Sequence, residues 1–227
     1  MACSNSCFAP FLCLPAIVFF GLFVNTATAH AEGNRYKYPR AYKADISPVV
    51  AHRAISENKR TVLIDVRSLE EYVGGHAPMA DNIPYPRVTG KNKDDPSYKA
   101  MSEADFLAEI VARYPKKSTP IITMCQSGGR SVLAANILAK AGYTDVRSVW
   151  SGYLGKPLTD TDNNPVDVNA NGIISGVTLG ADGKPIEDPG DMDGWAGYND
   201  LPVSDNIEKR RVLLQFYQLY GVARATK

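Results

Sequence analysis

Short apolar runs alternate with helical patterns through the middle of this 227-residue chain. A run of four or five apolar, β-branched residues is typical of a strand that is buried on both faces. The predicted strands lie at residues 61–64, 120–124 and 145–149. The predicted helices lie at residues 47–57, 102–114 and 130–140. This alternation predicts an α/β fold, doubly wound, in which helices flank a central parallel β-sheet and ligands bind beyond the carboxyl ends of the strands.

The predicted helices begin and end at residues that suit those positions. Ser47 followed by Pro48 is typical of a helix N-terminus, and Ser102 with Asp105 resembles a capping box. Gly142 is expected just beyond the end of the third helix. In the second helix, helical spacing predicts one shared apolar face. The residues of that face are Phe106, Leu107, Ile110, Val111 and Tyr114.

Residues 1–31 contain no Asp, Glu, Lys or Arg. Residues 8–24 are apolar, and Ala29 and Ala31 stand at the −3 and −1 positions of a cleavage site. This pattern predicts a signal peptide over residues 1–31, followed by a solvated linker over 32–44 and a periplasmic or secreted location. An uncleaved membrane anchor stays open as the alternative.

Three of the four cysteines fall within the predicted signal peptide, so cleavage leaves Cys125 as a lone thiol. A lone thiol excludes an internal disulfide and a dithiol oxidoreductase. The formal net charge is +1, and the longest basic run is residues 209–211, so a nucleic-acid partner is not expected.

Cys125 follows a predicted strand and precedes Gly128, Gly129 and a predicted helix. Successive backbone amides that lead into a helix N-terminus form a concave site for anions, and Arg130 adds a positive charge there. Such surroundings are expected to lower the pKa of a cysteine from about 8.5 to between about 3.5 and 7.5. The alternative is that Cys125 only ends a core strand and the glycines only form a turn.

The loop at residues 125–131, Cys-Gln-Ser-Gly-Gly-Arg-Ser, resembles the active-site loop of the single-domain rhodaneses, which are thiosulfate sulfurtransferases. Further similar segments lie at residues 63–67, 71–76, 82–84, 151–155 and 194–202. The resemblance covers residues 45–204 and implies a rhodanese-like domain. The sequence departs from the family at Met79, in the spacing from Trp195 to Leu201, and in residues 155–190.

The resemblance implies that Cys125 is the catalytic nucleophile. A small anionic donor such as thiosulfate gives its sulfane sulfur to Cys125, and the resulting persulfide passes it to a thiol, cyanide or protein acceptor without a cofactor or metal. The loop amides are expected to hold the donor and the persulfide. The loop residues implied in substrate binding are Gln126, Ser127, Gly128, Gly129 and Arg130.

Four further residues are implied in supporting roles. Asp65 and Arg67 are expected to form an ion pair that braces the loop, with direct substrate contact as the alternative. Glu71 is expected to cap or pair within a short helix, and His76 to make a structural hydrogen bond. Trp195 is expected to anchor the core.

Two alternative functions stay open. One is a cysteine-dependent phosphatase, although such loops have five residues between cysteine and arginine and this loop has four. The other is a sulfane-sulfur carrier without turnover, or a module that docks a periplasmic partner through residues 155–190.

Residues 155–190 are rich in Asp, Asn, Gly and Pro, which predicts an insertion built from β-hairpins. Asp167, Asn169 and Asn171 match the first half of an EF-hand loop, so calcium is an alternative to a plain hairpin. Residues 205–227 are predicted to form an amphipathic C-terminal helix. Its apolar side comprises Val212, Leu213, Phe216 and Tyr220.

Overall fold

A computed structural model describes residues 38–159, 162, 167–168, 174–175, 192–197 and 201–217, and the structural statements below concern this part of the chain. Its strands, in chain order, are β1 (Ala44–Ile46), β2 (Val62–Asp65), β3 (Ala80–Asn82), β4 (Arg87–Thr89), β5 (Lys99–Ala100), β6 (Ile121–Met124), β7 (Val146–Val149), β8 (Asp167–Val168) and β9 (Ile174–Ser175). Its α-helices are α1 (Pro48–Glu57), α2 (Leu69–Val73), α3 (Glu103–Arg113) and α4 (Gly129–Lys140). Short 3₁₀ helices lie at Trp195–Gly197 and Lys209–Arg211.

Five parallel strands form the central sheet in the order β1-β7-β6-β2-β3. Because successive side chains of a strand point to opposite faces, neighbouring residues enter different cores. Leu63 and Ile122 pack in the core that also holds α1 and Trp195, whereas Ile64 and Ile121 pack in the core beneath α3 and α4. The predicted α/β class, with a parallel sheet flanked by helices, is confirmed.

The helix ends agree with the expected caps. Ser47 precedes α1 and its hydroxyl accepts a hydrogen bond from the Val50 amide. Ser102 precedes α3 and accepts from the Asp105 amide. Gly142 follows α4 with φ +90°, as expected for a residue just past a helix end.

One residue of the predicted apolar face of α3 lies outside the core. Phe106 and Ile110 are buried, but the Val111 side chain is 39% exposed. Val111 lies at the edge of the apolar stripe, where helical spacing alone does not decide between core and solvent.

The segment before β1 is not a solvated linker in the described residues 38–44. Tyr42 is buried, Asn136 of α4 exchanges hydrogen bonds with Ala41 and Pro39, and Arg40 pairs with Asp45. The basic composition of this stretch did not predict its packing, because the hydrogen bonds to Asn136 join residues that are far apart in the sequence.

The predicted C-terminal helix does not begin near residue 205. Residues 205–208 have no helix, Lys209–Arg211 form a 3₁₀ turn, and helical structure starts at residue 214. Arg113 donates to the carbonyls of Arg210 and Val212, which a continuous α-helix uses for its own hydrogen bonds. Val212, Leu213 and Phe216 are buried as expected, and residues 218–227 lie outside the described part.

Within the predicted insertion, β8 and β9 pair antiparallel, as the turn signals predict. Asp167 lies in β8, whereas Asn169 and Asn171 lie outside the described residues, so calcium binding there stays a prediction. The predicted signal peptide also lies outside them. In the described residues, no helix is long and apolar enough to span a membrane.

Candidate active site

Cys125 lies directly after β6, at the carboxyl end of a central strand, and its side chain is buried. The Gly128 amide donates a hydrogen bond to Cys125 Sγ at 3.1 Å. Gly128 is the N-cap of α4 and has φ +104°, a left-handed conformation that glycine adopts without steric cost. The thiol therefore faces a backbone N–H at a helix N-terminus, where a negative charge on sulfur is stabilised.

The base of the loop is closed by a serine hydroxyl. Ser131 Oγ lies 3.5 Å from Cys125 Sγ and 2.9 Å from the Gly128 carbonyl oxygen, to which it donates. Ser131 is fully buried, so its hydroxyl is held beside the sulfur without competition from water. Gln126, Ser127 and Gly129 are only partly buried and form the rest of the loop.

Arg130 is bound by the carboxylate of Glu71, a residue that was expected to cap or pair within its own short helix. Its two terminal nitrogens donate to the Glu71 carboxylate at 2.8 and 2.7 Å. Arg87 donates to the same carboxylate at 2.8 Å. Glu71 also completes a capping box with Ser68. The positive charge of Arg130 is therefore paired with the Glu71 carboxylate, so an anionic donor at the loop meets an ion pair and not an isolated arginine.

The pKa values of this pair move in opposite directions. Burial alone raises the pKa of Glu71, but the hydrogen bonds and charge of Arg130 outweigh it and lower that pKa to about 2. Burial alone lowers the pKa of Arg130, and the hydrogen bond and charge of Glu71 raise it above its ordinary value. Both side chains are ionised over the whole range in which the protein is expected to work.

Asp65 and Arg67 form a buried ion pair. Arg67 Nη2 lies 2.7 Å from Asp65 Oδ2, and both side chains are 1% exposed or less. Arg67 also donates to the carbonyl of Gly75 and, at 3.4 Å, to Gln126 Oε1. Its guanidinium stacks over the Tyr153 ring at 3.8 Å. This pair joins β2 to the loop, as the resemblance implies, and its burial disfavours direct substrate contact.

A second loop, residues 151–155, supports the first through backbone hydrogen bonds. The Tyr153 amide donates to the Cys125 carbonyl at 2.6 Å, and the amides of Leu154 and Gly155 donate to the Gln126 carbonyl at 2.9 and 3.0 Å. Gly152 has φ +76°, and a Cβ there would lie 2.4 Å from the Cys125 carbonyl oxygen. In the sequence, only Gly152 and Gly155 indicate that the two loops approach each other so closely.

The remaining residues singled out from sequence lie away from the sulfur. His76 is buried, stacks on Tyr72 with ring centroids 3.9 Å apart, and contacts the Tyr72 carbonyl at 3.0 Å. Burial lowers the pKa of His76. Trp195 is fully buried and donates to the Pro202 carbonyl. Both therefore serve the packing of the domain. Among the described residues, no cluster of three or more His, Cys, Asp or Glu side chains is placed to hold a metal ion.

A family model described as a rhodanese-like domain matches residues 48–155. Thiosulfate sulfurtransferase 16, chloroplastic, of Arabidopsis thaliana is 36% identical over 112 residues, which cover 83% of that protein and 48% of this chain. The chain belongs to the rhodanese-like family.

Other rhodanese-like relatives match over shorter stretches. Thiosulfate sulfurtransferase 18 of Arabidopsis thaliana is 37% identical over 93 residues, and the match covers 62% of that protein and 40% of this chain. The senescence-associated protein DIN1 of Raphanus sativus is 31% identical, and the match covers 49% of it and 44% of this chain. The chain thus spans about half to two thirds of the length of these two relatives.

Among solved structures, Rv0390 from M. tuberculosis is 26% identical with a TM-score of 0.46, covering 73% of this chain and 99% of that one. The human single-domain sulfurtransferase TSTD1 is 26% identical with a TM-score of 0.34, and the match covers 51% of this chain and 93% of that one. The family match ends at residue 155, where the predicted insertion begins.

Proposed function

We propose that this protein is a sulfurtransferase that moves a sulfane sulfur from an anionic donor such as thiosulfate to a thiophilic acceptor through a Cys125 persulfide. The observation that carries the proposal is the Gly128 amide, which points at Cys125 Sγ from the N-terminus of α4 at 3.1 Å. The names of two relatives, both thiosulfate sulfurtransferases, support the same reaction class.

In the first half of the cycle, the Cys125 thiolate attacks the outer sulfur of the donor. A sulfur–sulfur bond forms on Cys125, the sulfur–sulfur bond of thiosulfate breaks, and sulfite leaves with the electron pair. The persulfide keeps one negative charge on its terminal sulfur, one sulfur–sulfur bond beyond Cys125 Sγ, and the loop amides and the helix N-terminus stabilise that charge.

In the second half, a nucleophilic acceptor attacks the terminal persulfide sulfur. The persulfide bond breaks, the thiolate returns to Cys125, and the product leaves as thiocyanate or as a new persulfide. Splitting one transfer into two displacement steps is nucleophilic catalysis, and its kinetic signature is a ping-pong pattern.

The charge distribution at the loop favours an anionic donor. Arg130 and Arg87 both bind Glu71, so this cluster carries two positive charges against one negative charge. Each of the three side chains is 21–22% exposed, which keeps the excess positive charge within reach of a ligand at the loop. Such a local excess raises the concentration of anions at the site.

The phosphatase alternative is disfavoured by the position of Arg130. A phosphatase needs its arginine to clamp the transferring phosphoryl group, whereas both terminal nitrogens of Arg130 bind Glu71. The expected turnover of p-nitrophenyl phosphate is therefore negligible beside that of thiosulfate. Comparable turnover of the two substrates would overturn the assignment.

Initial-rate kinetics with thiosulfate and cyanide test the proposed reaction. Parallel double-reciprocal lines are expected for the wild type, and no thiocyanate above background for Cys125→Ser. Intersecting lines would contradict a persulfide intermediate that forms before the acceptor binds. Loading of Cys125 without any thiocyanate release would instead assign the protein as a sulfur carrier.

We further propose that the protein is exported and cleaved after Ala31, so that it works in a periplasmic or equivalent space. The support is the uncharged, apolar segment 1–31 and its closing small residues. N-terminal sequencing of the protein recovered from the exported fraction tests this. An N-terminus at residue 32 is expected, and an intact N-terminus in the membrane fraction would contradict it.

A further inference from the structure

Two arginines share one carboxylate oxygen beside the loop that carries Cys125. Arg130 Nη1 and Arg87 Nη2 each donate to Glu71 Oε2 at 2.8 Å, and Arg130 Nη2 donates to Glu71 Oε1 at 2.7 Å. Arg130 and Glu71 therefore form a two-point ion pair in which the charges cancel. Because Arg130 already matches the Glu71 carboxylate, the surplus positive charge of this cluster comes from Arg87.

Arg87 is fixed next to the ion pair although it lies outside the loop. In β4, the Val88 side chain is buried, so Arg87 and Thr89 face the opposite side of the strand. Arg87 Nη1 donates to the Lys91 carbonyl at 2.5 Å, while its Nη2 donates to Glu71. These two hydrogen bonds hold the guanidinium from both sides.

The nearest other charged groups have their own partners. Asp65 and Arg67 cancel each other in their buried pair. Glu70 accepts a hydrogen bond from the Gly90 amide at 3.0 Å and, among the described residues, forms no ion pair with Arg87. The charge of Arg87 is therefore balanced only by a carboxylate that Arg130 also uses.

Arg87 also keeps hydrogen-bonding capacity for a ligand. A guanidinium group carries five N–H donors. Arg87 uses two of them within the described part of the chain, and its side chain is 21% exposed. Both its charge and its remaining N–H groups can therefore act on an anion at the loop.

Sulfane-sulfur donors differ in the charge that they bring to such a site. Thiosulfate carries two negative charges and releases sulfite, whereas benzenethiosulfonate carries one negative charge and releases benzenesulfinate. Both give up their outer sulfur through cleavage of one sulfur–sulfur bond. A surplus positive charge near the nucleophile stabilises the donor and the departing group more strongly when they carry more negative charge.

We propose that Arg87 is a specificity-determining residue, whose charge makes the site prefer sulfane donors with two negative charges over donors with one. This inference rests on the proposed sulfur transfer and leaves its displacement step unchanged. The bond between Cys125 Sγ and the outer sulfur forms, the sulfur–sulfur bond of the donor breaks, and the leaving group keeps the electron pair. Arg87 attracts the donor and stabilises the leaving group.

Loading of Cys125 from the two donors, measured by intact mass spectrometry in a single turnover, tests the preference. Arg87→Met is expected to lower the second-order loading rate constant about tenfold with thiosulfate but less than about threefold with benzenethiosulfonate. Arg87→Lys keeps the charge and is expected to keep most of the preference for thiosulfate. An equal loss with both donors in Arg87→Met would assign Arg87 to packing and overturn the inference. A Lys variant that behaves like the Met variant would contradict charge as the cause.

Ionic strength tests the role of charge without depending on how a variant folds. In the wild type, the ratio of the thiosulfate rate to the benzenethiosulfonate rate is expected to fall several-fold between about 0.05 M and about 0.5 M salt. The ratio is expected to change less with salt in Arg87→Met. A wild-type ratio that does not change with salt would overturn the inference.

Arg147 provides a matched control for the loss of an arginine. It lies in β7, pairs with Asp145 at 2.8 Å and is 23% exposed, which is close to the exposure of Arg87. Arg147→Met is expected to keep the wild-type donor ratio, and a fall equal to that in Arg87→Met would overturn the role of Arg87. A wild type that loads from neither donor would overturn the proposed function itself. Loading from both donors with a ratio unaffected by Arg87→Met would overturn only the specificity role.

Discussion

Glu71 binds Arg130 through two hydrogen bonds, at 2.7 and 2.8 Å, that connect the N-terminal half of the domain to the loop carrying Cys125. The same carboxylate caps α2 through the Ser68 amide and binds Arg87. One side chain thus fixes a helix, a strand and the loop that carries Cys125 in a single arrangement.

Replacing Glu71 by Gln is expected to lower the free energy of unfolding by about 1–3 kcal/mol and to reduce kcat/KM for thiosulfate. Arg130 and Arg87 then lose their shared counter-charge, and the loop loses a fixed anchor. Urea denaturation and the cyanide assay measure the two effects. Glu208, which also meets two arginines but at the surface, is the matched control, and Glu208→Gln is expected to change neither quantity. Equal effects from both substitutions would contradict the role of Glu71.

The Glu71 pair also predicts how stability depends on pH. The folded-state pKa of Glu71, about 2, lies below its ordinary value of 4.5. The ionised carboxylate therefore stabilises the fold above pH 4.5, and this contribution is lost as the pH falls toward 2. Unfolding measured across this window is expected to show the difference between wild type and Glu71→Gln shrinking as the pH falls. A difference in unfolding free energy between the two proteins that stays constant with pH would contradict the ion pair as the source of that difference.

Asp65→Asn tests the buried brace behind the loop. The substitution leaves the Arg67 guanidinium buried without its counter-charge, so a loss of about 3–5 kcal/mol in the free energy of unfolding is expected. Asp145 and Arg147 form a partly exposed pair of the same type at 2.8 Å, and Asp145→Asn is expected to cost only about 0–1 kcal/mol. Chemical denaturation of both variants compares the costs, and similar values would contradict the brace.

Gly152→Ala tests the close contact between the two loops. A Cβ at residue 152 meets the Cys125 carbonyl oxygen, whereas one at Gly142 meets nothing within 4 Å. Both glycines have positive φ, so both substitutions carry backbone strain of about 1–3 kcal/mol. Only Gly152→Ala is expected to displace Cys125 and reduce sulfur transfer more than tenfold, as measured by thiocyanate formation. Equal activity in the two variants would show that the contact does not position Cys125.

Local sequence patterns were sufficient to predict the central strands and the caps of α1 and α3. These features depend on neighbouring residues, such as Ser47 before Pro48 or the apolar run that ends at Cys125. The loop residues 125–131 were identified for the same reason, because the strand, the cysteine, the glycines and the helix follow one another directly along the chain.

Long-range pairings were not predictable from the sequence. Nothing near Glu71 indicates that Arg130, far along the chain, returns to it. Tyr42 lies in a basic stretch that is typical of exposed chain, yet it is buried, and the amide of the next residue, Lys43, donates to the Val146 carbonyl of β7. The C-terminal segment has helical apolar spacing, but Arg211 binds Asp81 and Arg113 takes the carbonyls that a helix needs.

Intact mass spectrometry after treatment with thiosulfate tests the Cys125 persulfide most directly. The wild type is expected to gain the mass of one sulfur atom and to lose it again on addition of cyanide. Cys125→Ser removes only this thiol, so it reports whether the sulfur sits on Cys125. No gain in this variant is the predicted result. A gain equal to that of the wild type in Cys125→Ser, or no gain in the wild type, would contradict transfer through a Cys125 persulfide.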